Sequence, residues 1–366
     1  MHPTTLIKAL EGQPSYRIKQ AVELVFHGLI SDWDEASSLP KDLRAKLKAE
    51  VPISSLETVQ SSSSSKGDTQ KEALRLQDGQ LIETVLMRHQ DERATVCVSS
   101  QAGCPMACAF CATGTLGLKR NLTTEEIVDQ VLHFARLLKK EGEAVTNVVL
   151  MGMGEPLHNY DNVLEALRVL NNPEGFGFGA RRMSISTCGI VPGILRLADE
   201  PMQVNLAISL HAPNDELRSK LMPVNKAYPL AKLFAAIKTY VQKSGRKVMF
   251  EYLLIDGVND SPEIADELAD LLIHENPEGK NRTTGLYHVN LIKYHTTDVA
   301  ASAAERFGLP INPQSGMGTF PSSPVDRRKA FMQVLEERGI SVTHRITFGE
   351  DIDAACGQLA NKAATH

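Results

Sequence analysis

Four cysteines lie close together in this sequence and could bind a metal centre. They fall within 15 positions and are Cys97, Cys104, Cys108 and Cys111. The last three have the spacing C-x3-C-x2-C, and three thiolates on one loop can each bind one iron of a cubane cluster. The fourth iron then has no protein ligand and is open to a substrate or cofactor. The spacing therefore predicts an iron–sulfur site at Cys104, Cys108 and Cys111.

A structural zinc site is the alternative to this cluster. Zinc normally takes four protein ligands, and the downstream sequence has no second pair at CxxC or HxxxH spacing. An aromatic residue, Phe110, also precedes the last cysteine of the motif. Both features favour the iron–sulfur cluster over zinc.

Residues that could bind a small ligand follow three predicted strands. They are Gly154, Glu155, Ser186, Ser209, Leu210 and His211. A glycine at a strand end lets the backbone approach a ligand closely, and the Glu155 carboxylate can accept a hydrogen bond from an ammonium group. Taken alone, the same residues are also typical of a turn, a capping hydroxyl and a structural histidine.

The elements that must position these residues alternate from about residue 80 onward. Six β-rich runs, separated by amphipathic helical stretches, cover 95–98, 147–151, 183–187, 204–210, 247–254 and 287–292. This alternation predicts an α/β fold with a parallel sheet and right-handed crossovers. Six units are too few for a closed eight-unit barrel, so we expect an open or partial barrel with its chemistry at the carboxyl ends of the strands.

The N-terminal part of the chain differs in pattern. Helical spacing in 16–26 and 41–50 predicts a small helical domain, with Trp33 as a core anchor, and the serines at 61–65 form a linker or an exposed hairpin tip. The predicted division is 1–55 for the helical domain, 56–89 for a linker and accessory strands, 90–345 for the partial barrel and 346–366 for a C-terminal segment.

Composition narrows the class of protein. The 366 residues carry 39 Lys and Arg against 44 Asp and Glu, a net charge of −5, which excludes a strongly cationic coat protein. No run approaches the ~18 apolar residues of a membrane span, and the first residues do not have the layout of a signal peptide. We therefore expect a cytoplasmic protein with no membrane association.

The cysteine motif, with Phe110 before Cys111, resembles the signature of the radical S-adenosylmethionine (SAM) superfamily. The resemblance implies a 4Fe–4S cluster whose open iron is chelated by the amino and carboxylate groups of SAM. One electron from the cluster then cleaves SAM to a 5′-deoxyadenosyl radical, which abstracts hydrogen. It also implies that the ligand-binding residues at the strand ends, from Gly154 to His211, contact SAM.

Longer motifs are similar to one family within that superfamily, the RlmN/Cfr family of RNA methyltransferases. They are ERATVCVSSQAGC, FCATGTLGLKRNLT, MGMGEP, VNLAISLHAPNDELRSKLMP and DIDAACGQL, and the resemblance spans about residues 16 to 360. It implies a partial (β/α)6 radical SAM barrel with a small N-terminal helical domain. Where the family usually has an asparagine that contacts SAM, this chain has His295, which can still form one hydrogen bond there.

The resemblance also implies roles for three residues, and two SAM molecules per turnover. Cys356 takes a methyl group from the first SAM, and the radical from the second removes hydrogen from that S-methyl group. The methylene radical adds to an adenine carbon, Glu83 accepts the proton of that carbon, and Cys97 attacks the Cys356 sulfur to form a transient disulfide. By composition alone, the two cysteines would be buried apolar thiols and Glu83 a solvent-facing strand carboxylate.

The partners implied are 23S ribosomal RNA, at an adenosine of the peptidyl-transferase centre, some transfer RNAs, and an electron donor such as flavodoxin or ferredoxin. No obligate protein partner is inferred. With an acidic net charge, phosphate binding must come from local basic pairs such as 119–120, 181–182, 246–247 and 327–329.

The features that separate the two branches of the family disagree. Residues 153–156 and the long central motifs are similar to the branch that methylates adenine C2, whereas 16–20, 286–294 and 348–349 are closer to the C8 branch. The sequence therefore leaves the methylated carbon open.

Two hypotheses of other classes are a radical SAM enzyme acting on a small molecule or protein, and a non-enzymatic iron–sulfur or zinc protein that binds RNA. The first predicts that Cys97 and Cys356 are dispensable, and the second that SAM is not cleaved.

Overall fold

The structure is a computed structural model that describes residues 3–276, 285–297, 301–309 and 317–360. Its strands are β1 (Glu57–Ser63), β2 (Thr69–Arg75), β3 (Leu81–Arg88), β4 (Ala94–Cys97), β5 (Gln101–Gly103), β6 (Leu118–Asn121), β7 (Asn147–Leu150), β8 (Met183–Thr187), β9 (Asn205–Ser209), β10 (Val248–Leu254), β11 (Tyr287–Lys293) and β12 (Val342–His344). Its helices are α1 (Pro3–Ala9), α2 (Ser15–Phe26), α3 (Lys41–Glu50), α4 (Ala112–Thr115), α5 (Thr124–Lys140), α6 (Tyr160–Asn171), α7 (Val191–Ala198), α8 (Asp215–Leu221), α9 (Leu230–Ser244), α10 (Pro262–His274), α11 (Ala301–Phe307) and α12 (Val325–Glu337).

One sheet runs through the molecule in the order β1-β2-β3-β4-β7-β8-β9-β10-β11-β12. From β4 to β12 every neighbouring pair is parallel. The six predicted strands are β4 and β7 to β11, so the predicted α/β fold with a parallel sheet is confirmed. The sequence analysis missed β12, which is only three residues long and pairs with β11.

The strands β1, β2 and β3 extend this sheet in antiparallel order and join it at β4. The serine run lies partly in β1 and partly in the turn before β2, so it forms a hairpin and not a linker. The division of the chain into domains stays a prediction, and 361–366 of the predicted C-terminal segment lie outside the described residues.

The N-terminal helices agree with the helical spacing of the sequence. α2 and α3 cover the two predicted stretches, and Trp33 between them is buried as the predicted anchor. Its indole N–H donates a 2.7 Å hydrogen bond to the Val51 carbonyl, which satisfies its one buried polar atom. These helices share one hydrophobic cluster with the large sheet, because apolar side chains such as Leu47 and Val96 belong to the same buried set.

The helix after the cysteine motif shows how the sequence sets the fold locally. Thr123 and Glu126 form a capping box at the start of α5, in which each side chain accepts a hydrogen bond from the other residue's backbone N–H. α5 then buries an apolar face that includes Val131 and Phe134.

In the described residues no helix is both long and apolar enough to cross a lipid bilayer.

Candidate active site

A cavity that is partly open to solvent lies at the carboxyl ends of the parallel strands. The predicted site residues that border it are Cys97, Cys104, Cys108, Cys111, Gly154, Glu155, Ser186, Ser209, His211, His295 and Cys356. They come from positions far apart in the chain, and they meet because the carboxyl ends of parallel strands share one edge of the sheet. Two predicted site residues, Leu210 and Glu83, do not border this cavity.

Leu210 is buried in the hydrophobic core, as expected for a side chain between two cavity-facing neighbours. Its backbone N–H donates to the Glu251 carbonyl at 3.0 Å, and its carbonyl accepts from Arg218 Nε at 3.2 Å. A contact of Leu210 with SAM stays a prediction.

The predicted cluster loop runs from the end of β5 to the start of α4. Its turn requires a positive φ of 50° at Ala107, and a Cβ at Gly114 would lie 3.2 Å from the Cys108 backbone. Burial raises the pKa of all three thiols, to about 12 for Cys104, so they hold their protons in the absence of a cation. Metal coordination would reverse this, because a bound metal deprotonates a coordinating thiol.

The three thiols fit an iron–sulfur cluster better than a single metal ion. Among the described residues, no three His, Cys, Asp or Glu side chains converge on a point where one ion could bind. A zinc site needs such convergence, whereas in a cubane each thiolate binds a different iron. The donor set is also all sulfur, the ligand that iron–sulfur clusters use. These residues therefore fit a 4Fe–4S cluster at the cavity wall.

The ammonium-binding candidate Glu155 follows Gly154, whose conformation permits no other residue. Gly154 has a φ of 102°, and a Cβ there would lie 2.6 Å from the Cβ of Gln101. The buried Glu155 carboxylate accepts backbone N–H groups of Cys188 at 2.7 Å and Leu157 at 2.9 Å. Burial raises the pKa of Glu155, and these hydrogen bonds oppose that increase by favouring the charged form. A ligand ammonium facing this carboxylate would favour the charged form further.

His211 lies at the end of β9 with a strained backbone, because its φ is 58°. Its Nδ1 accepts a hydrogen bond from the Leu253 N–H at 3.0 Å, which assigns the ring proton to Nε2. Burial, together with the charge of Arg218, lowers the pKa of His211 to about 3. His211 is therefore neutral near pH 7 and can donate one hydrogen bond through Nε2.

Arg218 is a site residue that the sequence analysis did not single out. Its side chain is fully buried on α8, and its guanidinium donates to the Cys188 carbonyl at 2.7 Å and to the Ser209 and Leu210 carbonyls at 3.2 Å each. It thereby ties the end of β9 to the loop after β8. The available signal was its place inside the long motif VNLAISLHAPNDELRSKLMP, where an arginine follows the ligand-binding residues.

Cys97 and Cys356 border the same cavity, and both are free thiols. Burial raises the pKa of Cys97 to about 12, and the nearby Cys356 adds to this increase. Arg345 opposes it, and the pKa of Arg345 is itself raised mainly by Cys356. Its Nη1 donates to the Met151 sulfur at 3.3 Å and lies 3.6 Å from Glu251 Oε2. Arg345, a second residue that the sequence analysis missed, therefore places a positive charge beside the two thiols.

His295 borders the cavity, but both of its ring nitrogens face the C-terminal segment. Nδ1 lies 3.1 Å from Glu350 Oε1, and Nε2 lies 3.3 Å from Thr347 Oγ1. Lys293 Nζ also donates to Glu350, at 2.7 Å. Burial is the main cause that lowers the pKa of His295, and Glu350 opposes it. A direct contact of His295 with SAM stays a prediction.

Glu83 lies in a second cavity, together with Lys71, Asp351 and Asp353. It is only 2% exposed, so the alternative of a solvent-facing strand carboxylate is wrong. Its Oε1 lies 3.3 Å from Lys71 Nζ, and its Oε2 accepts the backbone N–H of Ala360 at 2.8 Å. Residues of the C-terminal segment thus lie against both cavities.

The basic pairs proposed for phosphate binding do not surround this site. Pairs 181–182 and 246–247 precede β8 and β10, so they lie at the amino ends of these strands, opposite the cavity. Arg120 is paired with Glu126 and Asp78, and Arg327 is paired with two aspartates. The pairs 181–182 and 246–247, together with Arg120 and Arg327, are therefore poor candidates for binding RNA at the cavity.

Comparison with known proteins places the chain in a family. The profile of the radical SAM superfamily matches residues 98–269. A relative from Chloroflexus aurantiacus, named a probable dual-specificity RNA methyltransferase RlmN, is 46% identical over 96% of this chain and 88% of its own length. A relative of the same name from Symbiobacterium thermophilum is 44% identical over 96% of this chain and 87% of its own length.

A solved structure agrees with the sequence matches. The crystal structure of a radical SAM methyltransferase from Sphaerobacter thermophilus has a TM-score of 0.87 and 46% identity, and the match covers 98% of this chain and 97% of that one. The superfamily match includes the cluster loop and the ends of β7, β8 and β9. The chain therefore belongs to the RlmN family of radical SAM methyltransferases.

Proposed function

We propose that this enzyme methylates C2 of an adenine in RNA, in 23S ribosomal RNA and in transfer RNA, through an S-methylcysteine at Cys356. Family membership implies SAM and a 4Fe–4S cluster as cofactors. The observation that carries the proposal is that Cys97 and Cys356 border one cavity with the cluster loop and the strand-end residues. The choice of RNA is supported by the names of the relatives, and C2 by their RlmN type.

The residues of the cavity have different roles in the proposed reaction. The cluster and two SAM molecules per turnover, when bound, supply the methyl group and the radical that activates it. Glu155 binds the ammonium group of SAM. The rest of the cofactor lies between the other strand-end residues and the cluster loop. Cys356 accepts the methyl group, and the thiolate is the attacking form of its side chain.

Product release depends on Cys97. Its thiolate attacks the Cys356 sulfur, so that an S–S bond forms and the C–S bond to the base breaks. The electron pair of that bond stays on the carbon, which takes up a proton and becomes the methyl group. The disulfide must be reduced before the next turnover. Because burial raises the pKa of Cys97 to about 12, this step also needs the positive charge of Arg345 nearby.

Glu83 serves in this proposal as the proton acceptor for the adenine carbon. The radical adduct must also lose one electron with this proton, and the 4Fe–4S cluster, when bound, would be its acceptor. The base must then reach Cys356 in one cavity and Glu83 in the next, with the C-terminal segment between them. An adenine that enters must displace the Ala360 N–H from Glu83, and such a base is read after it leaves the RNA stack. An electron donor such as flavodoxin or ferredoxin completes the proposed set of partners.

Nucleoside mass spectrometry tests the proposal directly. Reconstituted protein is incubated with SAM, a reductant and large-subunit RNA that lacks its own modification, and the digest is compared with authentic methyladenosines. We expect 2-methyladenosine from the wild type and none from Cys356→Ser. 8-Methyladenosine would instead assign the C8 reaction. Cleavage of SAM without methylated adenosine, on ribosomal or transfer RNA, would overturn the proposed substrate and favour a small molecule or a protein.

A further inference from the structure

Lys71 on β2 contacts two different parts of the proposed machinery. Its Nζ lies 3.3 Å from Glu83 Oε1 on the neighbouring strand β3 and donates a 3.1 Å hydrogen bond to the Asp353 carbonyl. Its side chain is only 11% exposed, an unusual position for a lysine. One ammonium group therefore joins the predicted proton acceptor to the segment that carries Cys356.

Lys71 and Glu83 contact the C-terminal segment on opposite sides of Cys356. Lys71 holds the segment at Asp353, and Glu83 holds it at Ala360 through the 2.8 Å bond from the Ala360 N–H. Cys356 lies between these two points. One ion pair between β2 and β3 thus contributes an anchor on each side of Cys356, in addition to the bonds that Asp351, Gly357 and Leu359 accept.

The environment makes these anchors strong. Glu83 and Lys71 are largely removed from water, and a buried charge is stable only when it is paired and hydrogen-bonded. Loss of the ammonium would leave a buried carboxylate without this partner and the Asp353 carbonyl without this donor. The neighbouring cation on β2, Arg75, differs in this respect, because it is exposed and pairs with an exposed carboxylate, Glu57, at 3.1 Å.

We infer that Lys71 is a positioning residue, which holds residues 353–360 so that Cys356 faces the cluster loop and Glu83 faces the incoming base. The inference rests on the proposed function, because it uses the roles proposed there for Cys356 and Glu83. When a base displaces Ala360 from Glu83, the bond from Lys71 to Asp353 remains. Cys356 then keeps its position relative to the cavity, because the Gly357 carbonyl also accepts the Ala112 N–H at 2.8 Å and the Leu359 carbonyl accepts the Thr113 hydroxyl at 2.6 Å.

The first experiment measures the segment itself. Hydrogen–deuterium exchange of peptides that cover 349–360 is compared in reconstituted wild type, Lys71→Met, Lys71→Arg and the matched control Arg75→Met. We expect exchange about tenfold faster or more in Lys71→Met, since a hydrogen bond to a charged group is lost at the anchor. Arg75→Met should exchange like the wild type, and Lys71→Arg should restore most of the protection. Wild-type exchange in Lys71→Met would overturn the inference.

The second experiment measures, in the same proteins, how efficiently SAM cleavage is coupled to RNA methylation. The yield of methylated adenosine per 5′-deoxyadenosine should fall about tenfold or more in Lys71→Met, because a displacement of about 1 Å in reacting groups has effects of that size. SAM cleavage should persist, because the cluster loop does not depend on Lys71, whereas S-methylation of Cys356 should fall together with the coupling. Lys71→Arg should recover both. A parallel loss of all three activities with a lowered melting temperature would mean a general structural role and would overturn the inference.

The two experiments separate this inference from the proposed function. If the wild type forms no methylated adenosine but Lys71→Met still loosens residues 349–360, the proposed substrate is wrong and the anchoring role of Lys71 stands. If the wild type methylates RNA and Lys71→Met leaves both exchange and coupling unchanged, the proposed function stands and the role of Lys71 is overturned.

Discussion

The imidazole of His211 packs edge-on against the ring of Phe110, with ring centroids 4.8 Å apart and an interplanar angle of 82°. Phe110 belongs to the cluster loop and His211 to the end of β9. The contact therefore joins the loop that would hold iron to the strand end that would hold SAM. It also buries the imidazole, and this burial is the main reason for the low pKa of His211.

The low pKa of His211 predicts a pH dependence of stability. Its folded pKa of about 3 lies below the ordinary value of 6.5, so the unfolded chain binds the proton more readily. The contribution to stability is complete above about pH 6.5 and is lost as the pH falls toward 3. We expect the free energy of unfolding in urea to be about 2 kcal/mol lower at pH 5 than at pH 7 on account of this group.

The variant His211→Asn isolates this group from other titrating residues. Its loss of stability between pH 7 and pH 5 should be smaller than that of the wild type by the same amount. Equal pH dependence in both proteins would mean that His211 is accessible to protons in the folded state.

Substitution of Arg218 should weaken SAM binding. Without its guanidinium, the carbonyls of Cys188 and Ser209 lose their donor, and the loop that supplies an N–H to Glu155 loses its tie to β9. We expect Arg218→Met to raise the dissociation constant for SAM about tenfold or more, measured by calorimetry on the reconstituted protein. Arg218→Lys keeps the positive charge but has fewer hydrogen-bond donors. Its dissociation constant for SAM should therefore lie between those of the wild type and Arg218→Met. An unchanged affinity for SAM would show that the hydrogen bonds of Arg218 do not support the SAM-binding loop.

The position of His295 predicts how its substitution separates two roles. Its ring nitrogens face Glu350 and Thr347, so His295→Asn should loosen the C-terminal segment and lower RNA methylation while the affinity for SAM changes less than about threefold. Glu350→Gln should have the same effect, because it weakens the contacts of His295 and Lys293. If His295→Asn weakens SAM binding and Glu350→Gln does not, then His295 contacts the cofactor as the family resemblance implies.

Substitution of a cluster cysteine should cause loss of the iron–sulfur cluster. Cys108→Ser should remove most of the iron and sulfide and the brown absorbance after anaerobic reconstitution, because one iron loses its protein ligand. Cys356→Ser should keep all three, since its thiol is not in the C-x3-C-x2-C motif. Full iron content in Cys108→Ser, or stoichiometric zinc in the wild type as isolated, would contradict the assignment.

The parallel sheet was predictable because its strands are short runs of apolar residues that alternate with amphipathic helices. The same reasoning missed β12, whose three residues are too few for a period to be visible. The cluster loop was also predictable, since its three ligands are local in sequence. The proximity of Cys97 and Cys356 followed only from family resemblance, because no pattern within the chain relates two positions so far apart.

The supporting residues of the site were not predictable in this way. Arg218 and Arg345 act through backbone carbonyls and thiols that only the folded chain brings near them. The same holds for Lys71, whose partner Asp353 comes from the other end of the described chain. Glu83 was identified by resemblance, but its separate cavity and its bond to Ala360 depend on how the C-terminal segment folds back.

The return of the C-terminal segment to the antiparallel extension has a consequence for the order of folding. The cluster loop and β2 are synthesised early, and residues 353–360 follow only after every parallel strand has been made. Contacts of such long sequence separation form late, since they require closure of the chain between them. During synthesis the thiols of the cluster loop are therefore uncovered, and the segment can shield them only after the sheet is complete. We therefore expect cluster insertion to be easiest before the segment docks at the cavity.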